Sequence, residues 1–384
     1  MKKLVLDTET TTKNKGNPFT RSNKLMCVGT YDGSDFKYYD IEHSGLPYGQ
    51  SLCDLKKEIN NVDLLIGFNL KFDLHWTRRY INLGFNRVWD CQLAAFILAN
   101  QTTPYPSLES ELAKQSLVPK LSEVQEYWDK GIDTDLIPSD ILRAYNEQDC
   151  KSTWELYQIQ DKLLKGNQRK LFQLHCADLL VLQEMEFNGL VFNAKQSRVE
   201  GEKIQIQLKE CTDKLNEIVG SNDINWNSPA HISAILYGGQ INFSGRELVH
   251  KPRKDGTVRT YERHCLLPRL FESLVKPIEG TETTHGWSVS EDTLRSVSAT
   301  GKARKIVDLI LEASKLDKLL GTYYNVLPEL IEKMDWPENT LHGQINQCVA
   351  RTGRTSSSQP NTQNFTSELK PLFYSRFDDS PSDN

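Results

Sequence analysis

The stretch KLVLDTE at residues 3–9 joins a short apolar strand to two carboxylates at the end of that strand. Alternate residues of a strand leave the same face of the sheet. Asp7 and Glu9 therefore point to one side of the strand predicted at residues 3–8. An acidic pair at a strand end is ordinarily a solvated edge, so it indicates chemistry only if other segments supply partners.

The sequence around this strand predicts an α/β sandwich in about the first 165 residues. Apolar runs between Gly, Asn and Asp turns predict strands, and longer periodic segments with caps predict helices. Ser51 and Asp90 are the predicted N-caps of two helices. Further strands are expected at residues 24–31, 36–41 and 62–68, and helices at 51–60, 71–83, 91–99 and 139–164.

From about residue 169 the sequence becomes mainly helical. Asp255-Gly256 centres a predicted hairpin at residues 250–263, which has basic flanks. The predicted helices are residues 171–188, which end at the C-cap Gly189, then 197–219, and 306–334 with interruptions near Gly321 and Pro328. The predicted domains are residues 1–165, residues 166–340 with an insertion around 245–285, and residues 341–384.

Composition excludes several classes of protein. Of the 384 residues, 38% are hydrophobic and 25% are charged, which is typical of a globular protein. No apolar run approaches the roughly 20 residues of a membrane span, so we expect no membrane partner and a cytoplasmic location, in bacteria or a phage-infected host. The eight cysteines lack zinc-site spacing. A net charge of −5 still permits a local basic groove for nucleic acid.

Two further patterns place polar side chains four residues apart. Asn69 and Asp73 lie where a predicted strand passes into a helix, and Tyr145 and Asp149 lie within the long predicted helix. Residues at this spacing share one face of a helix. Taken alone, Asn69 is best explained as an N-cap, and each pattern is ordinary by itself. Their order along the chain is what carries information.

Together, Asp-x-Glu, Asn-x-x-x-Asp and Tyr-x-x-x-Asp resemble the three exonuclease motifs of the DEDD superfamily, in its tyrosine-bearing branch. The resemblance covers about the first 160 residues. It implies a ribonuclease H-like domain, a mixed central sheet flanked by helices, that shortens DNA from a single-stranded 3′ end. It also implies that Asp7 bridges two cations and that Glu9 and Asp149 hold the one that activates water. Asp73 would support the second cation through water.

Phosphodiester hydrolysis explains why carboxylates recur in these motifs. Two divalent ions about 4 Å apart can generate the nucleophile and stabilise the leaving oxygen. Hard ions such as Mg²⁺ or Mn²⁺ prefer oxygen ligands. The resemblance implies that Tyr145 orients the attacking water, and its phenol is too weak a base to be the main proton acceptor at neutral pH. Asn69 would shape the turn or contact the terminal nucleotide, and Asp90 is assigned to capping. His75 is expected to be a structural histidine.

The second half resembles part of another family. Residues 182–190, LQEMEFNGL, are similar to the segment that opens the polymerase region of family A DNA polymerases. Residues 350–364, ARTGRTSSSQPNTQN, resemble that family's Thr-Gly-Arg-x-Ser-Ser-x-x-Pro-Asn-x-Gln-Asn signature, with Thr362 where leucine is usual. A polar surface loop is the alternative explanation of this second stretch. The resemblance implies a mainly helical polymerase thumb followed by the start of the palm.

The same resemblance implies that a primer–template duplex is a partner. Arginine and serine side chains of the signature can bond phosphate oxygens, and its amides can address minor-groove acceptors that base pairs share. Lysines of the thumb helix would grip the duplex. The predicted DNA contacts are Asn69, Lys315, Lys318, Arg351, Arg354, Ser356, Ser357, Asn361 and Gln363.

A family A polymerase continues beyond this signature into a metal-binding palm and fingers, whereas the present sequence ends at Asn384. We therefore expect a proofreading 3′→5′ exonuclease that adds nucleotides only with a second polypeptide carrying the palm and fingers. A split polymerase, a gene interrupted by an intron or intein, and a truncation are all compatible with this ending. Two other functions stay open, a non-catalytic DNA-binding or structural subunit and an exonuclease that trims RNA.

Overall fold

The computed structural model describes residues 1–84, 87–253, 257–337 and 339–375. One compact unit comprises residues 1–194 with the described residues from 329 onward, and another comprises residues 195–328. The domain boundaries predicted near residues 165 and 340 stay a prediction. Within the described ranges, no helix is both long and apolar enough to cross a bilayer.

The first 190 residues form a five-stranded sheet together with the helices that pack on it. The strand order is β3-β2-β1-β4-β5, in which β1 is antiparallel to β2 and parallel to β4. The predicted α/β fold with a mixed central sheet is therefore confirmed. The elements are β1 (Lys3–Thr10), β2 (Leu25–Tyr31), β3 (Phe36–Asp40), α1 (Gly49–Asn60), β4 (Leu64–Gly67), α2 (Leu70–Arg78), β5 (Val88–Asp90), α3 (Cys91–Leu98), α4 (Leu108–Lys114), α5 (Glu123–Asp129), α6 (Ser139–Leu163) and α7 (Gly166–Asn188).

Strand β1 occupies the centre of the sheet because its side chains are apolar on both faces. Leu4, Val5 and Leu6 are each no more than 2% exposed. Burying a side chain of this size stabilises a fold by roughly 1.5–3 kcal/mol relative to leaving it in water. The carboxylates that follow these residues are consequently attached to one of the most firmly held parts of the molecule.

Several predicted boundaries differ from the structure. The prediction of Ser51 as an N-cap is wrong, because α1 already begins at Gly49 and the Leu52 amide donates to the Tyr48 carbonyl. The helix predicted at residues 71–83 ends at Arg78. Helices α4 and α5 were not predicted, since each has only seven residues and too few apolar positions to show a period.

The remainder of the chain is mainly helical apart from short strands and one long hairpin. Gly189 is confirmed as the C-cap of α7, with φ of 65°. The interruption predicted near Gly321 is confirmed as a π-turn at Leu320–Tyr324. The elements are β6 (Leu190–Val191), α8 (Ala194–Val219), α9 (Pro229–Tyr237), β7 (Gly239–Pro252), β8 (Val258–Phe271), β9 (Glu282–Thr283), β10 (Gly286–Trp287), α10 (Glu291–Ser296), α11 (Gly301–Leu319), α12 (Val326–Lys333), β11 (Thr340–Leu341), β12 (Gln344–Asn346) and β13 (Ser356–Ser358).

Strands β7 and β8 form an antiparallel pair, which we call the ribbon. Each strand has 14 residues, and the register runs from Gly239 opposite Phe271 to Pro252 opposite Val258. The ribbon is thus much longer than the hairpin predicted at residues 250–263. The turn predicted at Asp255-Gly256 lies outside the described residues.

Candidate active site

Three carboxylates converge at the end of β1. One ligand oxygen from each of Asp7, Glu9 and Asp149 lies within 4.8 Å of the other two. The first two come from β1, and the third comes from α6, which packs against β1 and β2. Glu9 and Asp149 are buried, whereas Asp7 is partly buried. The arrangement brings together acids that lie 140 residues apart in sequence, as the motif spacing predicts.

The close approach of α6 to the sheet depends on Gly29. This residue of β2 pairs with Asp7 of β1. A Cβ atom at residue 29 would lie 1.8 Å from Asn146 Oδ1 and 3.0 Å from Cys150 Sγ. Asn146 uses the space, since its Nδ2 donates to Asp7 Oδ2 at 2.7 Å. This residue lies inside the Tyr-x-x-x-Asp motif, but the sequence analysis did not assign it to the site.

Asp73 is held beside the cluster by Thr8, the residue between the two acids of β1. Asp73 Oδ1 accepts hydrogen bonds from the Thr8 amide at 3.0 Å and from the Thr8 hydroxyl at 2.7 Å. The carboxyl is buried in the first turn of α2. Its charge also interacts with those of Asp7 and Glu9. The structure therefore places all four predicted acids in one neighbourhood, with Asp73 held through Thr8.

A lysine that the sequence analysis did not identify supplies a positive charge. Lys120 Nζ lies 2.6 Å from Asp149 Oδ2 and 5.0 Å from the centre of the Tyr145 ring. The charges of Asp149 and Lys120 both act on the Tyr145 hydroxyl. Lys120 belongs to the segment between α4 and α5, where nothing in the local sequence distinguishes it from a surface lysine. Its role depends on tertiary structure alone.

The electrostatics of the cluster favour protonated acids. Burial, followed by the charge of Asp149, raises the pKa of Asp7 from 3.8 to about 7. Burial and the charge of Asp7 also raise the pKa values of Glu9 and Asp73. Burial raises the pKa of Asp149 too, and Lys120 opposes that rise. A bound divalent cation would reverse these shifts, because opposite charge stabilises the ionised form.

The donor set fits a hard divalent cation. Oxygen ligands are what Mg²⁺ and Mn²⁺ prefer. Among the described residues, Asp149 Oδ1 and Asn146 Oδ1 are buried atoms without a hydrogen-bond partner. Buried polar atoms are nearly always satisfied, so an orphan carboxylate oxygen in this cluster is consistent with a ligand position. Asp7, Glu9 and Asp149 are the residues that would hold the ion.

Asp90 and His75 belong to the structural surroundings of the site, and Asn69 lies at the start of α2. Asn69 precedes α2 in a left-handed conformation with φ of 55°. Asp90 is confirmed as the N-cap of α3, accepting from the Gln92 and Leu93 amides, and its other oxygen accepts from the Leu70 amide at 2.8 Å. His75 is confirmed as a structural histidine, because it is buried with Nε2 2.8 Å from Glu186 Oε2.

Glu186 connects α2, the helix of Asp73, to β12. Strand β12 precedes residues 350–364, which we call the signature loop. Its carboxylate on α7 pairs with Lys71 Nζ at 2.6 Å and accepts from the Ile345 amide of β12. Glu186 is only 4% exposed, so an unpaired charge here would be costly. Glu186 lies within the LQEMEFNGL stretch at residues 182–190, where the sequence indicates no role for it.

The signature loop folds back on β12 through β13. Ser357 is buried, and its hydroxyl accepts from the Thr362 amide at 3.0 Å and contacts the Pro360 carbonyl oxygen. These bonds favour shaping of the loop over a contact with DNA. Gln363 is exposed and donates to Thr355. The other predicted contacts at the surface are Arg351, Arg354 and Asn361, with Ser356 partly buried; Lys315 and Lys318 are exposed on α11.

Comparisons with known proteins divide the chain in two. Residues 1–165 match the sequence model of a 3′-5′ exonuclease family, and residues 263–371 match that of DNA polymerase family A. The chain is 27% identical over 288 residues to DNA polymerase I of Bacillus subtilis (strain 168), covering 73% of this chain and 27% of that protein. It is 22% identical to the DNA polymerase of Bacillus phage SP01, covering 94% of this chain and 42% of that protein. The chain thus spans less than half the length of these relatives.

A solved structure has a similar fold. It is described as the POL domain of Pol1 from M. smegmatis in complex with DNA primer-template and dNTP. The match has a TM-score of 0.63 and 16% sequence identity, and it covers 96% of this chain and 54% of that one. At this identity the likeness concerns the fold alone.

Proposed function

Because residues 1–165 belong to a 3′-5′ exonuclease family and residues 263–371 to DNA polymerase family A, we propose that the chain hydrolyses the 3′-terminal phosphodiester of DNA. The observation that carries this proposal is the approach of the Asp7, Glu9 and Asp149 carboxylates to within 4.8 Å of one another. The exonuclease family implies dependence on a divalent metal. The finer proposal is two Mg²⁺ or Mn²⁺ ions, with Asp73 supporting the second.

The bound ions would supply a nucleophile at neutral pH and stabilise the leaving oxygen. The residues of the chain have separate tasks. Asn146 fixes the direction of the Asp7 carboxylate, and Thr8 fixes that of Asp73. Such supporting hydrogen bonds orient ligands and are worth about 10–100-fold in metal affinity or activity.

Tyr145 would position the attacking water as a hydrogen-bond donor. Burial and the charge of Asp149 raise its pKa above the ordinary value for a phenol. The hydroxyl therefore keeps its proton at neutral pH and cannot serve as the base. Tyr145 and Asp149 lie one turn apart on α6, so the hydroxyl would share one water with a carboxylate that would hold the cation.

Lys120 would act as the counter-cation of the cluster. Its ion pair with Asp149 offsets part of the repulsion among four neighbouring acids. Lys120 contacts Oδ2 of Asp149 and leaves Oδ1 for a metal ion, but its positive charge repels a cation bound to the same carboxylate. Lys120 therefore competes with cation binding, and once displaced it would be free to face the phosphate of the DNA.

The choice of DNA as the substrate follows from the relatives, which are DNA polymerases. Asn69 would contact the terminal nucleotide. Exposed residues of the signature loop and α11 would contact a primer–template duplex, with Arg351, Arg354, Asn361 and Gln363 from the loop and Lys315 and Lys318 from α11. Proofreading within a replicative polymerase, a second polypeptide with palm and fingers, and a cytoplasmic location stay predictions.

The test is digestion of a 5′-labelled single-stranded oligonucleotide in Mg²⁺. We expect stepwise shortening from the 3′ end, and its loss in the Asp7→Ala/Glu9→Ala variant with circular dichroism unchanged. A matched control is Asp129→Ala, which removes an exposed acid from α5. Absence of Mg²⁺- or Mn²⁺-dependent digestion by the wild type would support the non-catalytic alternative. Faster shortening of an RNA oligonucleotide than of DNA would support RNA trimming.

A further inference from the structure

The ribbon differs in charge from the chain as a whole. Residues 239–271 contain seven Lys or Arg and three Asp or Glu, a net charge of +4, whereas the whole chain carries −5. A local excess of this kind on an acidic protein attracts anions to one place on its surface. The remaining residues of the chain together carry a net charge of −9.

The described acids of the ribbon are already paired. Glu262 accepts from Arg246 Nη1 at 3.0 Å, and Glu247 pairs with Arg263 across the strands. Because these four charges cancel, the electrostatic potential of the ribbon depends on its other cations. The cations outside these pairs, among the described residues of the ribbon, are Lys251, Arg253, Arg259 and Arg269.

Three of those cations gather at the end farthest from the core. Lys251 and Arg259 lie directly opposite each other in the strand register, and Arg253 directly follows the last residue of β7. All three are exposed, and no ion pair with an acid is formed by them within the described residues. Like charges placed opposite each other destabilise a hairpin. An anion bound between them would remove that cost.

The shape of the ribbon suits an extended partner. Only its base joins a core, where Ile241 is 3% exposed and Phe243 and Phe271 pack against buried residues. Strands of 14 residues extend over roughly 45 Å at about 3.3 Å per residue. An isolated two-stranded hairpin is marginally stable in water, so a bound partner would order its outer part.

We propose that the outer end of the ribbon binds the phosphate backbone of duplex DNA through Lys251, Arg253 and Arg259. Phosphate contacts supply affinity that does not depend on sequence. The choice of DNA as the polyanion rests on the proposed function. The contact would hold the chain on its substrate without touching the acidic cluster.

The exposed leucines of the ribbon indicate an alternative partner, a protein with an apolar surface. Leu248 is 64% exposed and Leu266 is 65% exposed. They lie on one face with Arg246, and charged residues adjoin them along both strands. Unpaired cations at the far end favour DNA, and the leucines become a separate arm of the test.

The experiment measures binding of the full chain to a labelled DNA duplex with a 3′ overhang, by fluorescence anisotropy in EDTA. Without divalent ions no digestion occurs, so failure of this proposal is distinguishable from failure of the nuclease. In Lys251→Gln/Arg253→Gln/Arg259→Gln we expect weaker binding and a salt slope shallower by about 3, since each phosphate contact contributes about 1.

The matched control removes three cations that are paired on helices of the same unit, as Lys203→Gln/Lys209→Gln/Arg295→Gln. It should keep the wild-type slope. An equal fall in both triple variants would show a general charge effect and overturn the proposal. A wild-type slope in the ribbon variant would also overturn it, as would weakened binding confined to Leu248→Ser/Leu266→Ser.

Discussion

The acidic cluster and the outer end of the ribbon both crowd like charges, but they do so in opposite surroundings. Asp7, Glu9 and Asp149 converge between a central strand and a long helix, with little exposure to water. Lys251 and Arg259 oppose each other in solvent on a hairpin supported only at its base. Buried charges interact strongly over short distances, whereas exposed charges are screened by salt. The first arrangement suits a compact ion, and the second suits a long polyanion.

The comparison predicts that exonuclease activity depends on the acidic cluster and not on the ribbon, and this prediction has the largest expected effect. We expect Asp149→Ala to reduce the exonuclease rate by about 10³-fold or more, because a lost metal interaction of several kcal/mol raises the barrier by that much. DNA binding in EDTA should stay at the wild-type level. Single-turnover digestion measures the rate. An equal loss of rate in Lys251→Gln, under saturating DNA, would contradict the division of roles.

The pH dependence of stability tests whether the buried charges repel one another. Asp7 has a pKa raised from 3.8 to about 7, so its contribution to stability is complete at low pH. That contribution falls as pH rises toward 7, by about 1.4 kcal/mol per pH unit for one group. In EDTA, the free energy of unfolding of the wild type should therefore fall relative to Asp7→Asn between pH 5 and pH 7.

Urea denaturation of both proteins measures this difference in the free energy of unfolding. The contributions of other titrating groups, which both proteins share, cancel in it. Burial lowers the pKa of His75, so that residue favours folding as pH rises. Addition of Mn²⁺ at neutral pH should restore the wild type more than Asp7→Asn. If the difference in the free energy of unfolding stays constant across the pH range, charge repulsion in the cluster does not reduce stability.

A substitution at Gly29 tests the cluster in another way, because it should displace the site without removing any charge. Gly29→Ala places a methyl group against Asn146, which must move. Overpacking of this kind costs about 1–3 kcal/mol of stability, and activity should fall because Asp7 loses its hydrogen bond. Gly49→Ala is the control, because a Cβ there meets nothing within 4 Å. Equal melting temperatures and activities of the two variants would exclude the proposed role of Gly29.

A prediction of similar size concerns Lys120. Lys120→Met removes the positive partner of Asp149, so the metal-free protein should lose about 1–3 kcal/mol, as for a hydrogen bond to a charged group. The rise in melting temperature on adding Mn²⁺ should become larger, because the ammonium no longer competes. Lys120→Arg should behave as the wild type in EDTA. A smaller Mn²⁺ response in Lys120→Met would mean that the lysine assists cation binding.

Sequence spacing predicted the acids of the cluster because each lies on a regular element. Alternation along β1 fixes the common face of Asp7 and Glu9, and the helical repeat does the same for Tyr145 and Asp149. Lys120 escaped prediction because it lies in a loop whose path depends on tertiary packing. No local pattern connects it to the cluster.

The ribbon shows a different limit of sequence reasoning. The hairpin predicted at residues 250–263 is part of the ribbon, but its strands are longer than the sequence predicted. Gly245, Pro252 and Pro268 are poor strand formers by local propensity, and pairing across the register outweighs that propensity. The interaction of Glu186 with His75 and Lys71 was equally hidden, because its partners lie more than 100 residues away in sequence.

The most direct test of the shared cation site is anomalous diffraction from crystals of the wild-type chain soaked in Mn²⁺ at neutral pH. We predict an anomalous peak in contact with Asp7 and with at least one of Glu9 and Asp149. The peak should disappear in crystals of Asp7→Asn prepared in the same way. A wild-type crystal in which Mn²⁺ occupies other positions but leaves these carboxylates without a peak would contradict the account.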